Sequence, residues 1–466
     1  MYPMKRILTI VFSTLIFFNT VTCVFAENLP TSVPNNKFGI HIIDENDLKT
    51  AASLVNSSGG DWGYVTMVIA ESERDRNRWQ NVFDEMRRLH IIPVIRIATK
   101  MEGENWSIPD TEDIDSWISF LDSLNWVVEN RYVIVGNEPN HASEWGGKLD
   151  PEGYATYLND FAQKLRNSSS DYFVMGAGLD ASAKNTAGTM DESIFIKRML
   201  KEQPAVFDNL AGWVSHSYPN PGFEGKETDT GRGSIQTFDW ELSYLSSLGI
   251  SKQLPVFITE TGWSTDKVDG NKISQMYEYA FQNVWNDKRI VAVTPFVLNY
   301  KDSLFSEFSW TKEDGSYFPF FEKYKSFPKT EGKPIQKQSG QIAGALAQPL
   351  IIEGSDFVGA VFAKNTGQSI WTTDNLNIVG DNGGIVFKNS LLFDIEPTKS
   401  GLVVFRATPA QTHGLLLKSI YLADKESGKR ITNSFPIEAF VIKADKSQAD
   451  SVFNKTINYL KTSFGI

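Results

Sequence analysis

Two glutamates in this sequence stand where apolar runs stop. Tyr132-Val133-Ile134-Val135-Gly136-Asn137-Glu138-Pro139-Asn140 breaks at Asn-Glu-Pro, and Pro255-Val256-Phe257-Ile258-Thr259-Glu260-Thr261-Gly262-Trp263 breaks at Glu-Thr-Gly-Trp. A carboxyl at the end of a buried strand is desolvated and has no structural need to be there. Two such groups about 5–5.5 Å apart can flank one sugar, one protonating the leaving oxygen while the other attacks the anomeric carbon. Asn137 adjoins the first glutamate. A third run, Trp213-Val214-Ser215-His216-Ser217-Tyr218-Pro219, ends in two further polar rings, His216 and Tyr218. Arg96 lies within the apolar Pro93-Val94-Ile95-Arg96-Ile97, where an unpaired charge is costly, so it must meet a carboxylate. Of the 12 tryptophans, eleven fall between residues 62 and 310, so ring faces for sugar stacking are expected in that region. Trp263, just past Glu260, is the first candidate, with Trp310 and Trp145 after it. His41, Asn299, His141 and Glu144 are further pocket candidates.

The elements that must position these groups are legible as a repeat. Eight short apolar runs occur at Phe38–Ile43, Tyr64–Ile69, Ile91–Ala98, Tyr132–Val135, Phe173–Gly178, Trp213–Ser217, Val256–Thr259 and Val291–Leu298. Each reads as a strand covered on both faces. Amphipathic stretches separate them, at 75–90, 113–129, 153–166 and 272–287. Strand–helix alternation over residues 37–328 is the pattern of a (β/α)8 TIM barrel, an α/β fold in which residues at the C-terminal strand ends face the active-site mouth. Glu138 and Glu260 then end strands four and seven, on opposite sides of the ring. A doubly wound sheet is the structural alternative, and the glycine-rich phosphate loop it usually carries is missing.

Past the barrel the texture changes. Residues 329–345 read as a linker, and 346–445 as an all-β sandwich of antiparallel strands with Asp381-Asn382-Gly383-Gly384 among its turns. Within it, Asn365-Thr366-Gly367-Gln368-Ser369-Ile370-Trp371 resembles a signature of bacterial immunoglobulin-like modules, which implies a structural or docking role. Residues 446–466 suggest a short helical tail carrying Val452, Phe453, Ile457 and Leu460. At the other end, Lys5 and Arg6, the apolar 7–22 and Val24-Phe25-Ala26 read as a signal peptide over 1–26. The expectation is therefore a secreted, periplasmic or cell-surface bacterial protein, held at a membrane only if that segment is retained. Cys23 is the single cysteine, which excludes disulfides and cysteine-based metal sites from the mature chain. The net charge of −11 makes nucleic acid a poor partner. No His/Asp/Glu grouping has metal-ligand spacing, and no Gly-x-Ser-x-Gly elbow is present. No metal and no cofactor are expected, and the chain is expected to act as a monomer.

The Gly-Asn-Glu-Pro-Asn and Thr-Glu-Thr-Gly-Trp motifs on the fourth and seventh strands resemble those of clan A glycoside hydrolases, retaining (β/α)8-barrel enzymes, over residues 37–328. The resemblance implies a carbohydrate substrate, with Glu138 as acid/base and Glu260 as nucleophile. It implies Asn137 against the sugar 2-hydroxyl, Tyr218 on Glu260, and His216 near Glu138 or a sugar hydroxyl. It also implies a tryptophan after strand eight, here Trp310. Many members carry an arginine on strand two for the nucleophile; here it stands on strand three as Arg96. Arg96 and Tyr218 would keep Glu260 ionised, and a poorly charged neighbourhood would keep Glu138 protonated. The competing expectation is a non-catalytic carbohydrate-binding or cell-wall adhesion protein on the same scaffold.

Overall fold

The structure is a computed structural model that describes residues 29–443 apart from 382–384, 392–393 and 410–412, and also 451, 455 and 458. The signal segment 1–26 lies outside the described residues, as does most of the tail 446–466.

The eight apolar runs form eight parallel strands: β1 Gly39–His41, β2 Gly63–Ala70, β3 Ile91–Ala98, β4 Arg131–Val135, β5 Tyr172–Gly176, β6 Trp213–His216, β7 Val256–Glu260 and β8 Ile290–Val293. Strands β1 to β5 pair in order, and β6, β7 and β8 pair in order. Two gaps remain, and parallel bridges close them: Phe38 to Val293 on one side, Met175 to Gly212 and Asp180 to His216 on the other. The last run is shorter than expected. β8 stops at Val293, and 294–298 continues as irregular chain that still bonds to both neighbours, Thr294 N to Ile258 O at 2.8 Å and Leu298 N to His41 O at 2.9 Å.

Eight helices follow the strands: α1 Leu48–Val55, α2 Arg76–Arg88, α3 Ile114–Asp122, α4 Pro151–Ser168, α5 Glu192–Glu202, α6 Thr237–Ser247, α7 Gly270–Tyr279 and α8 Pro319–Ser326. Their starts are chemically marked. Asp75, Asp150, Asp191 and Asp269 cap α2, α4, α5 and α7 through side-chain bonds to first-turn N–H groups. Four rings from four different strands, Tyr64, Tyr132, Phe173 and Phe257, contact one another at centroid distances from 5.2 to 6.3 Å. Strands that far apart in the ring can meet only in its lumen. The rings therefore fill the barrel as a core, and the chemistry is confined to its rim. No helix among the described residues is long and apolar enough to cross a membrane.

Beyond the barrel come β9 Gly340–Ala347, β10 Leu350–Ile352, β11 Phe357–Asn365, β12 Leu376–Gly380, β13 Ile385–Leu391, β14 Ser400–Pro409, β15 Gly414–Asp424 and β16 Phe435–Ile442. They make two four-stranded sheets, ordered β9-β11-β14-β13 and β10-β16-β15-β12, around one shared core with Trp371 at full burial. The pairing departs from the all-antiparallel expectation, because β10 runs parallel to β16. The chain changes sheets at Pro349, whose carbonyl accepts from Phe440 N at 2.8 Å, and so arrives beside the last strand from the opposite side.

The expected linker 329–345 also differs. β9 begins inside it, at Gly340, where a side chain would collide with Trp371. The rest is strapped to the barrel. Gly332 N donates to Asp61 O at 3.0 Å, Glu129 N donates to Ile335 O at 2.8 Å, and Lys337 Nζ meets Asp171 at 2.6 Å. The polar composition that reads as a free linker here serves hydrogen bonding along a surface groove.

Candidate active site

The rim brings Glu138 and Glu260 together. One oxygen of each, and a ring nitrogen of His216, all lie within 4.8 Å of one another. Both carboxyls keep a path to solvent, with 21% of the Glu138 side chain exposed and 12% of Glu260.

Glu138 is placed by an unusual turn. β4 ends at Val135, and the chain reverses through Gly136 at φ +88° and Glu138 at φ +29°. A left-handed conformation is unfavourable for glutamate, by about 1–3 kcal/mol, and persists only where the surroundings impose it. Glu138 N donates to Gly178 O at 3.0 Å, and His141 N donates to Glu138 O at 2.8 Å. Beside it the fully buried Asn140 donates to Asp180 O and Met190 O at 2.9 and 3.1 Å, and accepts from Asp180 N at 3.1 Å. These bonds tie the loop after β4 to the loop after β5. His141 adds to the tie through Asp180, at 2.9 Å, instead of facing a ligand.

His216 stands between the two acids. Its Nδ1 lies 2.7 Å from Glu138 Oε1 and 3.8 Å from Glu260 Oε2. Burial works to lower its pKa, but Glu260 and Glu138 outweigh that and raise it to about 9. His216 is therefore a cation at neutral pH. This corrects the expectation of a poorly charged neighbourhood for Glu138, whose partner is a buried imidazolium. Gly178 makes the position possible, since a Cβ there would sit 2.2 Å from His216 Cδ2.

Glu260 receives the Tyr218 hydroxyl at 3.2 Å. Burial would raise its pKa, but His216, Arg96 and the Tyr218 bond together hold it below the usual carboxylate range. His41, at the end of β1, is fully buried, and desolvation lowers its pKa to about 3, so it faces the site neutral.

Arg96 departs from expectation. Among the described residues no carboxylate lies within 4.0 Å of its guanidinium, and its buried Nε has no hydrogen-bond partner. It acts on Glu260 only through space. The residue is half-buried. Asn137 lines a cavity next to Glu138 with its Oδ1 unpartnered. Glu144 shares that cavity. Burial raises its pKa to about 7, partly countered by Arg96 and Asn137.

The three expected stacking rings are corrected. Trp263 and Trp310 are 2% and 1% exposed and pack around Tyr277, with Trp263 Nε1 donating to Gly225 O at 2.8 Å. Trp145 is 4% exposed and lies edge-on to Tyr154 and Tyr157. Large apolar rings near the rim are drawn under the loops that cross it. Asn299 turns away to Asp47, at 3.5 Å. A half-buried ring that sequence reading missed is Phe296, edge-on to His41 at 5.1 Å and to Phe305 at 5.6 Å. It was hidden inside the eighth apolar run, and only the early stop of β8 puts it on the rim.

No family model matches the chain, and no curated protein does. Among solved structures it is similar to a β-mannanase from Thermomonospora fusca, at 15% identity and TM-score 0.41, over 63% of this chain and 90% of that one. A β-1,4-D-mannanase from Cryptopygus antarcticus is similar at 8% identity and TM-score 0.39, over 63% of this chain and 91% of that one. A cell-surface-expressed chitinase, ChiW, from Paenibacillus is similar at 9% identity and TM-score 0.35, over 87% of this chain and 56% of that one. What the protein does therefore has to be read from its own site.

Proposed function

We propose that the chain is a retaining O-glycoside hydrolase acting on a poly- or oligosaccharide by double displacement. The observation that carries this reading is the closeness of the Glu138 and Glu260 carboxyls at an open rim, within the 4.8 Å that also includes His216. That spacing suits a nucleophile and leaves no room for the water an inverting pair needs between its carboxyls. Glu260, held ionised, attacks the anomeric carbon. Glu138 protonates the departing oxygen and then, as carboxylate, draws a proton from the water that releases the sugar. Before substrate binds, His216 carries a proton 2.7 Å from Glu138. A leaving oxygen entering beside Glu138 takes it from that pair. Phe296 offers the sugar an apolar face, in place of the buried tryptophans.

Glu138→Ala and Glu260→Ala are each expected to lower kcat by at least a thousandfold, as removal of a catalytic group does. Azide is expected to restore part of the Glu260→Ala turnover by standing in for the nucleophile. Inversion at the anomeric carbon, followed by NMR, would contradict a nucleophilic Glu260. The same three atoms are also spaced as a cation site would need, which favours one rival reading. A chelator separates the two: the glycosidase reading requires turnover to survive EDTA.

A further inference from the structure

Beside the two acids, the ends of β3 and β4 and the helices α3 and α4 enclose a cavity of about 40 Å³. A single water needs about 10–15 Å³ measured this way, so the space takes about three water-sized groups. Arg96 and Asn137 stand on its barrel side, Trp106 and Trp117 supply apolar wall, and Glu144 and Trp145 come from the loop after β4. Of these three tryptophans only Trp145 was a candidate stacking ring, and it is buried. The polar atoms here are unusual. Arg96 Nε, Trp145 Nε1 and Asn137 Oδ1 are all buried without a hydrogen-bond partner. Trp145 itself is 4% exposed and lines the cavity. Buried polar groups are rarely left unmatched, and three around one small space define the ligand they suit.

We infer that this cavity is a subsite for an acetamido group, and that the sugar bound between Glu138 and Glu260 is an N-acetylated amino sugar. The inference rests on the glycosidase reading. The unmatched set is two N–H donors and one carbonyl acceptor. An acetamido carbonyl accepts from Arg96 Nε and Trp145 Nε1, its N–H donates to Asn137 Oδ1, and its methyl lies against Trp106 and Trp117. A single hydroxyl has the lone pairs and the proton to match all three, but one oxygen cannot fill a space that takes about three water-sized groups, and it leaves Trp106 and Trp117 uncovered. A uronate carboxylate would leave Asn137 Oδ1 facing an anion, in a site that already holds the ionised Glu260. Below about pH 7 the protonated Glu144 keeps the cavity suited to a neutral group.

The test compares aryl glycosides of N-acetylglucosamine, N-acetylgalactosamine and N-acetylmannosamine with those of glucose, galactose and mannose. At least one N-acetyl sugar is expected to exceed its parent tenfold in kcat/KM, and Trp145→Phe is expected to reduce that ratio at least fivefold. If every parent equals or exceeds its N-acetyl partner, the inference is overturned while the glycosidase reading stands. If no glycoside of any kind is turned over, the glycosidase reading falls, and saturation-transfer NMR with the six free sugars decides the cavity. Strong saturation of an acetamido methyl, lost in Trp145→Phe, upholds the subsite; no methyl saturation overturns it.

Discussion

Charge at the rim is set by one residue held between two others. His216 lies within 3.8 Å of both acids, and its raised pKa of about 9 arises because they overcome its burial. The ordinary value is 6.5, so the stability this cation contributes is fully present below about 6.5 and is lost as pH rises through about 9. Glu260 has the opposite sign. Its pKa is depressed, so its contribution is present above the ordinary 4.5 and is lost as acid reaches the folded value. Activity should follow the same two events. The profile of kcat/KM is expected to rise below pH 4.5, as Glu260 ionises, and to fall near pH 9, as His216 loses its proton. In His216→Asn the acid limb is expected to move to higher pH, because the largest influence depressing Glu260 is gone. An acid limb unchanged in that variant would show that His216 does not control the nucleophile.

At the scale of elements, the site depends on how β5 and β6 approach each other. Gly178 follows β5 and lies under the His216 ring at the end of β6, where a Cβ would come within 2.2 Å. Gly178→Ala is expected to destabilise the fold by only about 1–3 kcal/mol, as overpacking does. It should nonetheless lower kcat at least tenfold, by turning the imidazole away from Glu138; equal kcat in both proteins would exclude that link. Behind β6 lies a second device. Glu192, at the start of α5, and Glu241, on α6, are both fully buried, and Trp213 Nε1 donates to Glu241 at 2.8 Å. Burial and the neighbouring Glu241 raise the Glu192 pKa well above 4.5. The folded chain therefore keeps a proton that the unfolded chain gives up above about pH 4.5. Stability must fall with rising pH, by about 1.4 kcal/mol per unit for one proton. Glu192→Gln carries no such proton. It is expected to flatten the decline and to melt no lower than the parent at pH 8, as followed by calorimetry.

Across the whole molecule, the sandwich is seated on the underside and flank of the barrel, away from the rim that holds Glu138 and Glu260. Gln368 Nε2 donates to Val128 O at 2.8 Å in a buried contact, Asn125 Nδ2 donates to Gly367 O at 3.0 Å, and Arg88 clasps Glu396 with bonds of 2.6 and 2.9 Å. The Asn365–Trp371 segment supplies much of this seam. Asn365 braces the loop through Ser369 O and Ile395 O, which leaves Gly367 and Gln368 facing the barrel. Gln368→Ala would leave the Val128 carbonyl buried and unmatched, a loss of about 1–3 kcal/mol. Calorimetry is expected to show the sandwich melting earlier, with turnover at 25 °C unchanged. Loss of turnover without a change in melting would instead tie the sandwich to catalysis.

Sequence alone determined the eight strands, because a strand buried on both faces must be an apolar run, and it determined that Glu138 and Glu260 end two of them. Val135 before Gly136-Asn137-Glu138, and Ile258-Thr259 before Glu260, carry that signal locally. It did not determine which rings reach the rim. Trp263, Trp310 and Phe296 are equally apolar as letters, and only packing in space decides that the tryptophans are buried around Tyr277 while Phe296 stays half open. Nor did it determine the charge around Glu138, since His216 comes from a strand two places round the ring and approaches only over Gly178. Periodicity is a property of neighbours in the chain. Solvent exposure and pKa are properties of neighbours in space, and those exist only once the barrel has closed.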